Sequence, residues 1–362
     1  MLIGATLGRY ISIHFIRTIL AVFATVFLLV YTLDFVELMR RAGEAQNATT
    51  GLMAALAFLR TPAVVEQVLP FAVLFGSMVT LLNLSRRLEL VIARSAGISA
   101  WQFLQPGFIV ALLLGIAVVG LYNPLSAILK QRAGVIEARI FTRNTGANTE
   151  RYIWVRQRSV DGQAIIRADA ATNDSATLIN VTFFLFDKKG QFTERVEARE
   201  ADLHDGYWEL KDARVMSVSA QPETHETFLV ATSLERSQVQ ESFLPATSVP
   251  FWQLSAVIER TERAGLDATS YRLQRDVLLA RPLLFVAMVL VAASVSLRFF
   301  RFGGVARMVL SGVVAGFMLY VATELMEDLG ASGLVSPMVA AWFPAVVGSL
   351  LGTLALLYQE DG

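Results

Sequence analysis

Hydrophobic residues fall into six long runs, which are separated by short polar segments and by one long polar insert. A membrane-spanning helix needs about 20 mainly apolar residues, and every run has about that length. The predicted spans are residues 15–38, 62–84, 101–122, 277–297, 308–325 and 335–358. Three spans precede the insert and three follow it, so the pattern predicts two triplets of transmembrane helices.

The insert, residues 130–271, has the pattern of an antiparallel β domain. Turn signals at 161–162, 189–190 and 205–206 separate runs rich in β-branched and aromatic residues, which predict strands near 151–158, 177–186 and 207–218. The predicted fold class is therefore an α-helical polytopic membrane protein, with six transmembrane helices (3+3) and an inserted antiparallel β-sandwich or jelly roll. The domains would be residues 1–129, 130–271 and 272–362, with an amphipathic helix at 251–264 leading into the fourth span.

The run 177–186 is apolar on both faces of its predicted strand. Val181 and Phe183 alternate with Phe184 and Phe186 on the opposite face. Such a strand is buried on both faces or lines an apolar groove. An ordinary sandwich core explains the same pattern.

Composition supports the membrane class and removes several kinds of chemistry. Hydrophobic residues make up 54% of the 362 residues, against about 45–50% in a typical soluble domain. The absence of cysteine excludes disulfides, thiolate metal sites and cysteine nucleophiles. The sequence has no phosphate-binding loop of the G-x-x-x-x-G-K-[ST] type, and none of its three histidines lies mid-span. We therefore expect no catalytic residue and no metal or cofactor site in this chain.

The distribution of charge predicts the orientation. Arg9, Arg17 and the basic residues of segments 85–100 and 298–307 lie at one set of span ends. The positive-inside rule then places both termini in the cytoplasm and the β insert outside. The first run ends in acidic residues and an arginine pair instead of a small-residue cleavage site, so we interpret it as a retained helix. Since Lys+Arg and Asp+Glu both number 31, charge does not point to nucleic acid, and we expect no such partner.

The loop 85–100 predicts a short cytoplasmic helix. Leu88, Val91, Ile92 and Ser95 would share one of its faces, and Gly97 would end it. Such a helix could dock in a groove of a soluble ATPase. It could equally lie on the membrane surface, anchored by its arginines.

Basic residues also cluster where the spans meet the insert. They are Arg40, Arg41, Arg60, Lys130, Arg132, Arg139, Arg272, Arg275 and Arg281. Arginine binds phosphate well, so a ring of them could hold a phosphorylated lipid headgroup; simple snorkelling anchors are the alternative. Arg281 lies deeper, where a charge costs about 2.5–3.5 kcal/mol on insertion scales. Its partner could be Asp34, Glu66, Asp276 or a lipid phosphate.

Several short motifs, in this order and spacing, resemble the LptF/LptG family of lipopolysaccharide-transport permeases. They are Arg9-Tyr10-Ile11, Asp34-Phe35-Val36-Glu37 with Arg40-Arg41-Ala42-Gly43, Pro70-Phe71-Ala72, and the Glu-Leu-Val and Ser-Ala-Gly core of residues 87–99. The end of the first helix and residues 298–312 are more similar to LptG than to LptF sequences.

This resemblance implies an inner-membrane ABC transporter that extracts lipopolysaccharide and passes it to a periplasmic bridge. The implied partners are an LptF-like permease in a heterodimer, an LptB-like ATPase dimer that binds the ATP and Mg²⁺, LptC, and an LptA-like bridge. The expected ATPase-coupling residues are Arg87, Glu89, Arg94 and Gly97. The expected headgroup contacts are Arg40, Arg41, Arg132, Arg281 and Asp34, and the expected residues for acyl-chain transfer are Val181, Phe183, Phe184 and Phe186.

One departure and two alternatives stay open at this point. Some family members carry lysine where this chain has Asp34, which puts the headgroup contact there in question. A membrane scaffold whose β insert binds envelope proteins would fit the same layout. A lipid-modifying enzyme fits less well, because the sequence lacks a catalytic constellation.

Overall fold

In a computed structural model, the chain divides into two compact units. One comprises Met1–Asn144, Pro250–Trp252 and Arg272–Gly362; the other comprises Thr145–Val249 and Gln253–Tyr271. The structure describes residues 5–42, 49–141, 153–159, 162–172, 177–187, 190–217, 222–232, 245–263, 267–300 and 305–360. The predicted turn residues Asp161 and Lys189 lie outside these ranges.

The first unit is helical and contains the spans. Its described helices are α1 (Ala5–Ala42), α2 (Thr50–Arg86), α3 (Glu89–Ser95), α4 (Ala100–Ala117), a π-helical turn (Val118–Tyr122), α5 (Asn123–Phe141), α7 (Thr269–Phe300), α8 (Val305–Ala331) and α9 (Pro337–Glu360). Helix α6 (Phe251–Arg263) lies between α5 and α7 in the chain. Six helical segments of the described chain are long and apolar enough to cross a membrane, as the sequence predicts.

The long helices extend beyond the apolar runs that revealed them. Helix α1 has 38 residues, which at 1.5 Å per residue is about 57 Å, against a hydrocarbon core of about 30 Å. Helix α5 continues to Phe141, so residues 130–141 are helical and belong to the first unit instead of the insert. This segment is more polar than the run before it, but Ala133 and Ile136 still pack it against α1 and α2. The second unit ends at Tyr271.

Small residues allow the helices of the first unit to approach closely. A Cβ added to Gly76 would lie 2.6 Å from the Cα of Ile19, and one added to Gly115 would clash with the backbone of Pro282. In lipid, where burial of apolar surface supplies little force, such contacts are a main source of helix association. They hold α1 on α2 and α4 on α7. The core they surround includes Phe15, Leu74, Phe103, Phe285, Leu319 and Leu356.

We expect Gly115→Ala to lower the free energy of unfolding of the membrane unit by about 1–3 kcal/mol, the usual cost of overpacking. The added methyl group would meet the backbone of Pro282, which cannot move as a side chain can. Thermal unfolding in detergent measures the change. Gly134→Ala is the control, because nothing lies within 4 Å of its added Cβ. Equal melting temperatures for the two variants would contradict this account of the α4–α7 contact.

The second unit is built on one antiparallel sheet. Its described strands are β1 (Ile153–Ser159), β2 (Gly162–Ala168), β3 (Ala170–Thr172), β4 (Thr177–Phe186), β5 (Phe192–His204), β6 (Tyr207–Ser217) and β7 (Glu223–Ala231). They pair in the order β1-β2-β4-β5-β6-β7, and β3 pairs with the far end of β4. The predicted fold class, six spans with an inserted antiparallel β domain, is confirmed.

The sheet curls until its two ends meet around Gln157. This β1 side chain is fully buried. Its Nε2 donates to the carbonyl of Ala231, and its Oε1 accepts from Trp208 Nε1 at 3.3 Å and from Thr232 Oγ1 at 2.6 Å. Strand pairing is interrupted opposite Asn180 and Asp212, which adopt positive φ angles of 50° and 55°. Such local departures bend a sheet and increase its twist. The inner face therefore closes over an apolar core that includes Ile166, Phe183, Val196, Trp208 and Leu210.

Across the middle of this sheet, Asp202 on β5 joins neighbouring strands. It accepts hydrogen bonds of 2.7 Å from Lys211 Nζ and from Thr177 Oγ1. Partial burial alone would raise the pKa of Asp202, but these two hydrogen bonds outweigh it and lower the pKa. Because the pKa of Asp202 is lowered in the folded state, its hydrogen bonds stabilise the fold fully above the unfolded-state pKa. This stabilisation is lost as pH falls through the folded-state pKa.

Candidate functional site

Helix α3 is a short helix between α2 and α4, with a defined turn at each end. Leu88, with φ of 59°, turns the chain out of α2, and Gly97, with φ of +83°, ends α3. The amide of Gly97 donates to Arg94 O and the amide of Ile98 to Ala93 O, at 3.0 and 3.1 Å, which is a Schellman-type end. Ser99 then caps α4 through a capping box with Gln102. The predicted role of Gly97 as a helix terminator is confirmed, although the helix occupies only Glu89–Ser95 of the predicted 85–100.

The apolar face predicted for this helix points away from the protein. Leu90 and Ala93 are buried against the core, whereas Leu88 and Ile92 are 58% and 64% exposed. Glu89 accepts a 3.0 Å hydrogen bond from the hydroxyl of Tyr10 on α1. Arg87 and Arg94 are exposed beside this surface. Within the described chain, α3 thus offers an uncovered apolar patch bordered by charge, which suits a protein groove or the membrane surface alike.

At the other end of α1, an arginine pair is exposed. Arg40 and Arg41 both donate to Glu37 at 2.9 Å, and their side chains are 76% and 51% exposed. Arg132 on α5 is also exposed. It precedes Ala133, which packs with Leu38 and Met53 of α1 and α2 in a separate core cluster. Three of the five expected headgroup residues are therefore accessible, and a phosphate at the pair would compete with Glu37.

Asp34 has a partner within the protein. Arg60 of α2 lies 3.5 Å from Asp34 and 3.2 Å from Glu137 of α5, so the three side chains join α1, α2 and α5. The Asp34 side chain is only 15% exposed. The headgroup contact expected at Asp34 stays a prediction. Arg60, one of the basic residues noted where the spans meet the insert, is the more exposed member of this pair.

Arg281 is part of a buried polar cluster with Glu66. The carboxylate of Glu66 accepts from Arg281 Nη1 at 2.7 Å, from Asn123 Nδ2 at 2.8 Å, and from Ser126 Oγ. The side chains of the ion pair are 12% and 9% exposed. Among the four partners considered from the sequence, the structure selects Glu66, while Asp276 pairs with its neighbour Arg275. The expected lipid contact of Arg281 stays a prediction beside this internal ion pair.

Beside Arg281 lies a cavity of about 90 Å³ between α2, α7, α8 and α9. Its polar lining includes Gln67, Arg281, Tyr320, Glu324 and Glu327. Arg281 therefore lies between two acidic surroundings, Glu66 on one side and the α8 carboxylates across the cavity on the other.

The four residues expected to receive acyl chains lie on two faces of β4. Val181 and Phe183 are buried in the sheet core, where Phe183 packs edge-to-face on Trp208 with ring centroids 6.1 Å apart. Phe184 and Phe186 are half-buried on the opposite face, with the guanidinium of Arg195 at 5.7 Å from the Phe184 ring. The first face is buried at Val181 and Phe183, whereas the second is half-buried, with Arg195 of β5 over Phe184 and Phe192 of β5 beside Phe186.

Comparison with known proteins decides the family. The profile described as lipopolysaccharide export system permease LptF/LptG matches residues 9–359. The chain belongs to the LptF/LptG family. It is also 25% identical, over 370 aligned positions, to the lipopolysaccharide export system permease protein LptG of Haemophilus influenzae, covering 97% of this chain and 96% of that protein. The family predicted from the short motifs is thus confirmed, and this LptF/LptG permease is a multi-pass inner-membrane protein of a lipopolysaccharide export system.

Several interactions in this permease were not found from the sequence. They include the contact of Tyr10 with Glu89, the joining of Asp34 to Glu137 by Arg60, and the contact of Asn123 with Glu66. A polar residue inside the apolar run 62–84 was the available signal for Glu66, and Asn123 directly follows the run 101–122. Among the described residues, no group of histidine and acidic side chains could hold a metal ion.

Proposed function

We propose that this chain is the permease subunit of an ABC transporter that extracts lipopolysaccharide from the outer leaflet of the inner membrane and passes it to a periplasmic β bridge. The observation that carries the proposal is α3, a capped helix between two spans whose apolar face is exposed in a protein of the LptF/LptG family. Such a surface supplies what a chain without a phosphate-binding loop needs, a docking point for an ATPase.

The complete transporter would combine this chain with an LptF-like permease and an LptB-like ATPase dimer. LptC and an LptA-like bridge would continue the path outside the membrane. The ATPase subunits would bind ATP and Mg²⁺, and Arg87, Glu89 and Arg94 would contact them around the α3 patch. With both termini in the cytoplasm, α3 would face the ATPase and the curled sheet would lie in the periplasm.

The free-energy cost of moving acyl chains from lipid into water sets the work that this transporter has to perform. Each CH₂ group that leaves an apolar environment for water costs about 0.8 kcal/mol, so a lipid with several acyl chains does not leave the bilayer unaided. ATP binding would push α3 and α2 as a rigid body and close an apolar cavity between the two permeases. The apolar core of the β sheet would then receive the chains.

Gentle purification from the native membrane, followed by mass spectrometry of proteins and lipids together, tests the proposal. We expect an ATPase, a second six-span permease and lipopolysaccharide to accompany this chain. A chain that purifies alone and without glycolipid in mild detergent would favour the scaffold hypothesis instead.

We expect Arg40→Glu combined with Arg41→Glu to weaken lipopolysaccharide crosslinking at the end of α1 by about fivefold, since two exposed charge contacts of about 0.5 kcal/mol each are lost. The exposure of both side chains means that insertion and folding are unaffected. Photo-crosslinking in membranes measures the effect, with Arg263→Glu, an exposed arginine of α6, as control. Unchanged crosslinking would show that the pair only anchors the helix.

A further inference from the structure

The face of the sheet opposite its apolar core carries a polar groove of about 480 Å³, which crosses β2, β4, β5 and β6 and is here called the outer groove. Its floor includes Val181 and Ala198, a directly paired couple of β4 and β5 whose side chains belong to the core on the other face. Four arginines line it, namely Arg167, Arg195, Arg199 and Arg214. Small-molecule sites usually enclose about 300–1,000 Å³, so the outer groove is large enough for a small polar ligand.

The strand register places charges of opposite sign side by side in this groove. Thr182 of β4 pairs with Arg167 of β2 and with Glu197 of β5. Glu197 pairs in turn with Arg214 of β6. The side chains of directly paired residues lie on one face, with their Cβ atoms about 4.5–5.5 Å apart. These four side chains therefore form one row across the groove.

Two interruptions of strand pairing shape a second row beside the first. Asn180 of β4 and Asp212 of β6 have φ angles of 50° and 55°, and neither pairs with β5. Asn180 Nδ2 donates to Asp169 at 3.2 Å, and Arg199 of β5 lies 3.0 Å from Asp212. Positive φ angles are uncommon outside glycine, cost free energy and cluster at ligand sites. Both of these positions line the outer groove.

The ion pairs of the outer groove are exposed enough to be exchanged for a ligand. The side chains of Arg199 and Asp212 are 72% and 59% exposed, and those of the Arg195–Glu197 pair are also partly exposed. Exposed pairs of this kind contribute little to stability. In addition, Arg195 Nε is a buried atom that has no hydrogen-bond acceptor among the described residues. A ligand that offers an anion to the arginines therefore displaces little.

The charge balance decides which class of ligand fits. The four arginines face three carboxylates, those of Asp169, Glu197 and Asp212, which leaves a net charge of +1. A polyanion would be repelled by the carboxylates, whereas a molecule with one phosphate and several hydroxyl groups finds a partner for each of its groups. Guanidinium groups bind phosphate in a fork geometry, and carboxylate and amide oxygens accept hydrogen bonds from hydroxyl groups.

We propose that the outer groove binds a phosphorylated saccharide, the headgroup of the exported lipid. The arginines hold the phosphate, and the carboxylates with the Asn180 amide hold the sugar hydroxyls. The inference rests on the proposed export function and deepens it, because it names the part of the substrate that the β domain recognises.

The first test uses the complete transporter in mild detergent, with a photo-reactive residue at Thr182 in the outer groove. Ser217, an exposed residue of β6 outside the groove lining, is the control position. We expect lipopolysaccharide to crosslink at least about fivefold more at Thr182 than at Ser217. The phosphorylated oligosaccharide left after removal of the acyl chains should compete at least about fivefold better than the same oligosaccharide without phosphate, or than inorganic phosphate alone.

Variants of opposite expected sign separate binding from loss of fold. Arg199→Ala combined with Arg214→Ala should raise the Kd of the phosphorylated oligosaccharide about fivefold, since two exposed charge contacts are lost. Asp212→Asn should lower it about twofold, because it removes a negative charge beside Arg199 and asparagine tolerates the positive φ angle. Arg263→Ala is the matched control, an exposed, ion-paired arginine of the same unit outside the groove lining.

Three results would overturn the inference. They are equal competition by inorganic phosphate, an unchanged Kd in the double arginine variant, and displacement of the lipid by an acidic peptide but not by the oligosaccharide. A transporter that exports lipopolysaccharide without any crosslink at Thr182 would also overturn it and would leave the proposed function intact. If the transporter exports no lipopolysaccharide although the outer groove binds the oligosaccharide, the proposed function fails instead.

Discussion

Arg281→Met is expected to lower the free energy of unfolding of the membrane unit by about 3–5 kcal/mol, the cost of leaving one member of a buried ion pair without its partner. The Glu66 carboxylate would keep its hydrogen bonds from Asn123 and Ser126 but would lose the cation that neutralises it. Both side chains are at most 12% exposed, so solvent cannot replace the guanidinium.

Thermal unfolding in detergent, followed by tryptophan fluorescence, measures this loss. The melting temperature of Arg281→Lys should fall between those of Arg281→Met and the unmodified protein, because lysine keeps the charge but not the geometry of the guanidinium. Adding Glu66→Gln to Arg281→Met should recover most of the stability, since the double variant buries no unpaired charge. A single Arg281→Met variant that melts at the temperature of the unmodified protein would mean that Glu66 is neutral or hydrated in the membrane.

Glu89→Arg is expected to reduce ATP-dependent lipopolysaccharide release by about tenfold or more while ATP hydrolysis continues, as a coupling free energy of 1–3 kcal/mol implies. The substitution reverses the one acidic charge of α3 between the exposed arginines Arg87 and Arg94, and it removes the acceptor of the Tyr10 hydroxyl. The α3 backbone is set by the turns at Leu88 and Gly97, so the helix itself should persist.

Release and hydrolysis are measured on the same proteoliposomes, so that their ratio reports coupling. Tyr10→Phe is the matched control, because it removes the hydrogen bond to Glu89 without altering the charge on α3. We expect it to change the ratio by less than about twofold, in line with the loss of one exposed hydrogen bond. Equal ratios for Glu89→Arg and the unmodified protein would show that α3 does not couple ATP hydrolysis to lipopolysaccharide release.

The elements best predicted from the sequence are those whose pattern reflects one dominant force. All six apolar runs are helices, and the strand predicted at 177–186 is β4 itself, because β-branched and aromatic residues between turn signals leave few alternatives. Prediction was weakest where a helix passes from lipid into water. Residues 130–141 lose their apolar character at that point but keep their helical backbone.

Site residues divide in the same way. The exposure of the α3 face and of Arg40 and Arg41 could be expected, since those positions depend on local periodicity and helix ends. The partners of Arg281 and Asp34 could not be selected, because Glu66 is 215 residues from Arg281 and Arg60 is 26 from Asp34, and hydropathy gives no pairing of helices. Phe184 shows a related limit: its apolar character did not reveal that Arg195 of β5 would lie over its ring.

The length of α1 gives it the properties of a lever. Near its start, Tyr10 contacts α3 through Glu89, and near its end lies the arginine pair at 40–41. The intervening 30 residues form a continuous rod of about 45 Å, so a rotation of about 10° at the first end displaces the second by about 8 Å. A small tilt of α1 beside α3 would thus be amplified along a single rigid helix, without any change in the conformation of that helix.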